Sequence, residues 1–256
     1  MANMLENKRI PNISSFGLHV LAMALMLCDH VWATLPNTPL WMTAVGRIAF
    51  PIFAFLVAEG HARTSDVKQY RKRLLLLALV TEIPFNLMLG DSLNHYYQNV
   101  IWTFLLASVC IGFWQKAEVR RTIPALLTAA AVTWVCYLAG YVLFVDYYGE
   151  GVLTVLVFWL FRGSRWWQRL GQAAGLYWIN VEMLGGRVIP LPLWGETVEL
   201  PLQAFALLAL IPIWLYRGRQ GLHSKAIKLV NYAFYPVHML ILWLIAVVMG
   251  ERPVWI

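Results

Sequence analysis

Charge is scarce in this chain. Asp, Glu, Lys and Arg make up 13% of its 256 residues, against ~25% in a soluble domain. With an apolar fraction of 60% and a mean hydropathy of +0.62, that scarcity excludes an ordinary water-soluble globule. Cysteine is scarce as well. Cys28, Cys110 and Cys136 all lie in apolar runs without paired spacing, so they read as small core residues, not as a disulfide framework or a metal site. The local signatures of metal, nucleotide and serine-hydrolase sites are missing: there is no HExxH, CxxC pair, GxxxxGK[ST], GxSxG or GxGxxG. A bound metal and nucleotide hydrolysis are therefore not expected. No internal repeat stands out, which argues against a transporter built from inverted repeats.

What the chain has is length in apolar runs. These fall at about residues 15–35, 38–60, 71–90, 97–115, 123–144, 151–161, 168–185, 197–216 and 229–250. Most reach the ~17–25 residues that a helix needs to cross a bilayer. The sixth is short unless it begins in the Asp146 segment and runs past Phe161. The first ends in Asp29-His30 and lacks a small-residue cleavage site, so it reads as a span and not as a signal peptide. The expected architecture is an all-α polytopic transmembrane bundle of about nine spans, one domain over 1–256. Trp32, Trp41, Trp102, Trp114, Trp166, Trp167 and Trp255 fall near span ends, as interfacial belts do.

The net charge of +7 is informative through its placement. Apart from Arg47, Arg187 and Arg252, every Lys and Arg falls in the tail (Lys8, Arg9) or in alternate loops, such as Arg63–Arg73, Lys116–Arg121, Arg162–Arg169 and Arg217–Lys228. Positive residues concentrate on the cytoplasmic side, so the N-terminus is expected there. The charge then orients the protein against membrane lipid or meets a cytosolic anion; no nucleic-acid partner is expected.

A few polar residues break the apolar runs. A charge at mid-membrane costs about 2.5–3.5 kcal/mol on insertion scales, so it faces protein or water and marks a pathway or a reaction site. Counting from the loops, Asp29, His30, Arg47, Glu82, Asn99, Asp146 and Gln203 all fall in the outer half. Pooling them around one wet cavity avoids burying each alone. Asp29 and His30 diverge by ~100° on a helix. The reading is that Asp29 pairs with Arg47 while His30 faces the cavity as a general base tuned by Glu82. The competing reading makes Asp29–Arg47 a structural ion pair and His30 an interhelical hydrogen-bonding residue. At the other face, Glu59, His61, Arg63 and Arg73 are either a solvated orienting run or a dock for the phosphates of a cytosolic cofactor. Tyr235-Pro236-Val237-His238 puts a kink and a histidine in the last span, lining the cytoplasmic side of the cavity or simply packed. Asp146–Gly151 is an ordinary turn or the wall of an acceptor pocket.

These residues, in this order, resemble the TraX family of bacterial membrane proteins. The matching pieces are Cys28-Asp29-His30, the block Gly46–Phe55 followed by Glu59-Gly60, and Thr81–Asn86. Asn99 with Thr103, Asp146-Tyr147 with Gly151–Leu153, Gln203-x-Phe205-Ala206 and Tyr235-Pro236-x-His238 continue the match. The family is named for a conjugation-associated protein that acetylates the N-terminus of pilin. It resembles the wider group of membrane acyltransferases that use cytosolic acetyl-CoA. The resemblance implies a multi-pass enzyme of the bacterial cytoplasmic (inner) membrane that takes acetyl-CoA as co-substrate. The acceptor it implies is an amine or hydroxyl on an exported peptide, glycan or lipid. It makes His30, with Asp29, the catalytic group, as direct base or transient acyl carrier. Arg47, Glu82, Asn99, Asp146, Tyr147 and Gln203 serve the acceptor; Glu59, Arg63, Arg73 and His238 serve the donor. Tyr148 departs from the family pattern, which has Gly directly after Asp-Tyr, and Arg162–Arg169 matches nothing in it. A proton-coupled transporter with an Asp29–His30–Glu82 relay, and a scaffold whose charges only knit helices together, are the alternatives.

Overall fold

The apolar runs fold as helices that pass back and forth between two ends of a bundle. The computed structural model describes residues 12–90, 97–193 and 196–250. Lys8, Arg9, Arg252 and Trp255 lie outside the described residues. The order is α1 (Ser15–Thr34), α2 (Trp41–Gly46), α3 (Ala49–Arg63), α4 (Val67–Gly90), α5 (Val100–Arg120), α6 (Ile123–Val142), α7 (Tyr148–Leu160) and α8 (Trp166–Tyr177). α8 continues as a π-helical turn, Trp178–Met183; strands β1 (Val188–Leu193) and β2 (Glu196–Pro201) follow. A 3₁₀ segment (Leu202–Ala209), α9 (Leu210–Leu215) and α10 (Lys225–Val248) complete the chain.

Six of these segments are long and apolar enough to cross a membrane: α1, α2 with α3, α4, α5, α6 and α10. The other three expected spans are not. α7 has 13 residues, about 20 Å of helix against a hydrocarbon core of ~30 Å, and Leu202–Leu215 is similarly short. Trp166–Met183 carries Gln168, Arg169, Gln172, Asn180 and Glu182, too polar a set for a lipid-facing span. The eighth run also starts later than its hydropathy indicates, because 197–201 belongs to β2. Pro190, Pro192 and Pro201 exclude helix there, and an antiparallel hairpin forms instead.

Loop contacts define the ends. At one end Arg63 Nη1 donates to the Gly218 carbonyl (3.1 Å), Ser15 N–H to that of Arg219 (2.8 Å), and Arg162 forks onto Glu118 (2.9 and 2.6 Å). Gathered there are the loops that hold most of the cations. At the other end stands the hairpin, with the Arg187 guanidinium 5.5 Å from the Trp32 ring centre. These are called the basic end and the hairpin end below.

α3 and α7 form the inside. Ala49–Ile52, Ala54, Leu56–Ala58 and His61 of α3 are buried, as are Gly149–Val152, Thr154–Leu156, Phe158 and Trp159 of α7. Gly140 and Gly149 let α6 and α7 touch backbone to backbone; a Cβ on either would overlap the other helix. The outer helices carry the reverse pattern. Leu127, Trp134, Val135 and Val142 on α6, and Leu76, Leu79, Val80 and Ile83 on α4, are well exposed. In water such a surface costs about 25 cal/mol per Å²; against lipid it costs nothing. The chain is a multi-pass helical membrane protein.

Candidate functional site

The last turns of α1 carry Asp29 and His30, and the α2–α3 junction carries Arg47. Gly46 decides how closely they approach, because a Cβ at this position would overlap the Asp29 side chain. With the backbone pressed there, Arg47 Nη2 sits 3.8 Å from Asp29 Oδ1 and donates to Thr43 Oγ1 at 2.9 Å. Asp146 and Tyr147 are the other charged or phenolic neighbours of Arg47. Tyr147, at φ +60°, stacks on Phe50 with ring centres 3.8 Å apart. Asp146 accepts from the Tyr97 hydroxyl at 3.0 Å, and its carbonyl accepts from Thr103. Asp29, Arg47, Asp146 and Tyr147 thus come together as their depth implies. Gln203 lies on the 3₁₀ segment, which packs on α2 and α3. Asp29 Oδ1, Arg47 Nε and Gln203 Oε1 are buried without a hydrogen-bond partner among the described residues. A buried polar atom left so costs about 1–3 kcal/mol. These side chains therefore hold hydrogen-bonding capacity in reserve.

His238 lies elsewhere than expected. Grouped by sequence with the basic-end mouth, it is instead bonded to His30: His30 Nδ1 and His238 Nε2 are 2.7 Å apart, with near-parallel rings. Hydrogen-bond logic orders the protons. His238 Nδ1 is 2.6 Å from the Phe234 carbonyl, which can only accept, so Nδ1 carries the hydrogen and Nε2 of the neutral ring is an acceptor. His30 Nδ1 then donates, which leaves the lone pair of His30 on Nε2. The pair is a two-histidine relay ending on a backbone carbonyl. Tyr235 completes it, its ring centre 6.2 Å from that of His30.

Glu82 and Asn99 do not join this site. The Glu82 carboxylate accepts from Asn86 Nδ2 (3.0 Å), Asn99 Nδ2 (2.5 Å) and Trp102 Nε1 (3.0 Å). Asn99 in turn caps α5 through the Ile101 N–H at 3.1 Å and donates to the Ala78 carbonyl at 2.9 Å. The expected tuning of His30 by Glu82 is not what the structure has. The charged or titratable neighbours of His30 are His238 and Arg47, while the capacity of Glu82 is spent on neutral donors.

From the basic end a cavity of about 620 Å³ runs inward, within the ~300–1,000 Å³ usual for ligand sites. Glu59, Arg63, His223 and Lys228 stand at its mouth, Met23, Met26 and Leu56 along its wall, and Phe104 and Tyr235 at its inner end. Glu59 Oε2 accepts from Arg63 Nε (2.9 Å) and from the Tyr216 hydroxyl (3.3 Å). Burial and the adjacent Glu59 carboxylate push the Tyr216 phenol up to about 12, so it stays a donor. Arg73 is exposed on α4 and does not line the cavity. His61 is buried against Ser108 Oγ at 3.1 Å. Sequence reasoning missed the roles of Thr43, Tyr97 and Trp102. Trp102 had the signal of an interfacial tryptophan, and Tyr97 none.

Comparison with known proteins places the chain in a family. The chain is 24% identical over 246 residues to "Probable fimbrial assembly protein FimC, serogroup H1" of Dichelobacter nodosus, covering 90% of this chain and 95% of that protein. No solved structure matches. The profile of the family described as "TraX protein" matches residues 15–246, and the chain belongs to the TraX family.

Proposed function

We propose that this protein is an acetyltransferase of the bacterial cytoplasmic membrane that moves an acetyl group from cytosolic acetyl-CoA to an amine presented on the other side. The observation that carries this reading is the position of His30. Its Nδ1–H is held by His238, its Nε2 has no partner among the described residues, and Tyr235, whose ring centre lies 6.2 Å from that of His30, lines the cavity from the basic end. By the positive-inside rule that end is cytoplasmic.

In this reading the cavity takes the donor. Lys228, Arg63 and His223 meet the phosphates of CoA, and the apolar wall takes the arm that carries the thioester. Arg73 contributes only to the field around the mouth. On the hairpin side the free groups are chiefly acceptors: Asp29 Oδ1, Gln203 Oε1 and His30 Nε2. Such a set fits an ammonium, with three donors and a positive charge, better than a hydroxyl. Asp146 and Tyr147 shape the wall with Arg47. Bound as an ammonium, the acceptor first releases one proton to water on the hairpin side; His30 Nε2 takes a second as the nitrogen forms the new C–N bond at the thioester carbonyl. Arg47 steadies the oxyanion, the C–S bond breaks, and His30 returns the proton to the leaving thiolate. The family and the fimbrial name of the relative make the N-terminal amine of an exported pilin-like polypeptide the preferred acceptor.

The test is acetyl-CoA turnover by the detergent-purified protein, wild type beside His30→Ala, with and without an amine acceptor. Binding with His30-dependent release of CoA supports the reading. Absence of binding to either protein, together with ion-driven uptake by proteoliposomes that ignores acetyl-CoA, replaces it with transport.

A further inference from the structure

The hairpin has two unlike edges. Its register pairs Val188 with Pro201, Pro190 with Glu199 and Pro192 with Thr197. A pair containing proline cannot exchange two N–H···O bonds, so these are the non-hydrogen-bonded pairs and the alternate ones carry the ladder. The backbone groups of 188, 190 and 192 therefore face outward on β1, and those of 197, 199 and 201 on β2. Two prolines leave the β1 edge a single outward donor, that of Val188, and proline is a usual way of blocking an edge strand. β2 keeps outward N–H and C=O groups at both Thr197 and Glu199, where residues 197–199 are exposed.

β2 also leads toward the end of α1 that carries Asp29 and His30. The Leu202 N–H after it donates to the Arg187 carbonyl at 2.8 Å, and Arg187 lies over Trp32, two residues beyond His30. Gln203 is the next residue.

We propose that the free edge of β2 is a docking strand for the extended N-terminal segment of the polypeptide acceptor, which adds as a third, antiparallel strand. Antiparallel pairing is the stronger mode, and it has a directional consequence. A strand running opposite to β2 begins beside Pro201, so its N-terminal amine arrives at the base of the hairpin, next to Gln203 and on the side of the end of α1 that carries Asp29 and His30. The direction rests on the amine-acceptor reading above; the edge itself rests on the hairpin. Backbone pairing supplies affinity with little demand on sequence.

The experiment is fluorescence anisotropy with purified full-length protein. The probe is a peptide of about ten residues of alternating threonine and valine, with a free N-terminus and a C-terminal fluorophore. The double variant Thr197→Pro, Glu199→Pro removes the outward donors without touching the ladder, and Val188→Pro does the same on β1. The double variant is expected to weaken binding at least about tenfold, a loss of about 1.4 kcal/mol, with Val188→Pro unchanged. N-terminal acetylation of the peptide weakens binding too if the amine sits in the pocket. Equal binding by all three proteins, or loss in Val188→Pro alone, overturns the proposal. So does a wild-type dimer that the double variant converts to monomer with peptide binding intact, since the edge then pairs two copies of the chain. Acetyl transfer to a dipeptide amide is measured in parallel. Its absence beside edge-dependent peptide binding sinks the acetyltransferase reading and leaves the docking strand standing.

Discussion

Two polar clusters lie in the membrane region of this protein, and they are finished to different degrees. Around Glu82 the carboxylate takes hydrogen bonds from Asn86, Asn99 and Trp102. Around Asp29 the ion pair to Arg47 is long at 3.8 Å, and Asp29 Oδ1, Arg47 Nε and Gln203 Oε1 have no partner among the described residues. Satisfied buried groups tie helices together, and unsatisfied ones keep capacity for a ligand. The first cluster is a clasp between α4 and α5. The second is, in the proposed reading, the place where the acceptor is held.

Mutations that act on one cluster and spare the other test this contrast. The largest expected effect is His30→Ala: acetyl transfer falls about 10²–10⁴-fold, the usual worth of a general base, while the thermal unfolding midpoint in detergent barely moves. A variant retaining a tenth of wild-type turnover would move the base elsewhere. Next is Asp29→Asn, which removes the charge that holds an ammonium. A KM for the amine raised about tenfold or more, against a smaller change in kcat, is the expected split. His238→Phe leaves a ring in place but takes away the acceptor that fixes the His30 tautomer, so kcat drops about tenfold by loss of proton ordering. Restoration by His238→Gln, whose side-chain oxygen can accept, would sharpen the assignment. The smallest effect on turnover belongs to Glu82→Ala. It strands three donors at about 1–3 kcal/mol for each that stays buried and unpaired, so the protein loses stability while kcat per folded molecule holds. Inactive but fully stable Glu82→Ala protein would erase the distinction between the clusters.

Much of the site was legible because charge in an apolar run is conspicuous. Asp29, His30 and Arg47 could be set at one depth by counting from the loops, and Asp146 and Tyr147 followed. Partnership was not legible, since depth does not say which face of a helix looks at which neighbour. Glu82 has the same depth credentials as Asp29, yet it turns to Asn99 and Trp102. His238 was set too near the basic end because its apolar run opens at about residue 229. The helix itself starts at Lys225, capped by Ser224, and so His238 sits about a turn deeper than the run implies. The hairpin was hidden in a segment too short and too rich in proline for a helix, where hydropathy has no voice. The six long spans were plain, and the sixth apolar run, 151–161, was already short for a span, as α7 is.

The partition made by Tyr235 with His30 and His238 has an electrical consequence. A membrane voltage does not fall evenly across a protein that admits water from both sides; it concentrates over whatever barrier remains. With a cavity lined by Tyr235 from the basic end and a partly exposed Asp29–Arg47 pair on the far side, the barrier includes the side chains of Tyr235, His30 and His238. A proton handed from one face of this barrier to the other crosses much of the potential, worth up to about 2.3 kcal/mol per 100 mV. Turnover measured in energised vesicles should therefore depend on voltage, in a direction that reports which way the proton leaves.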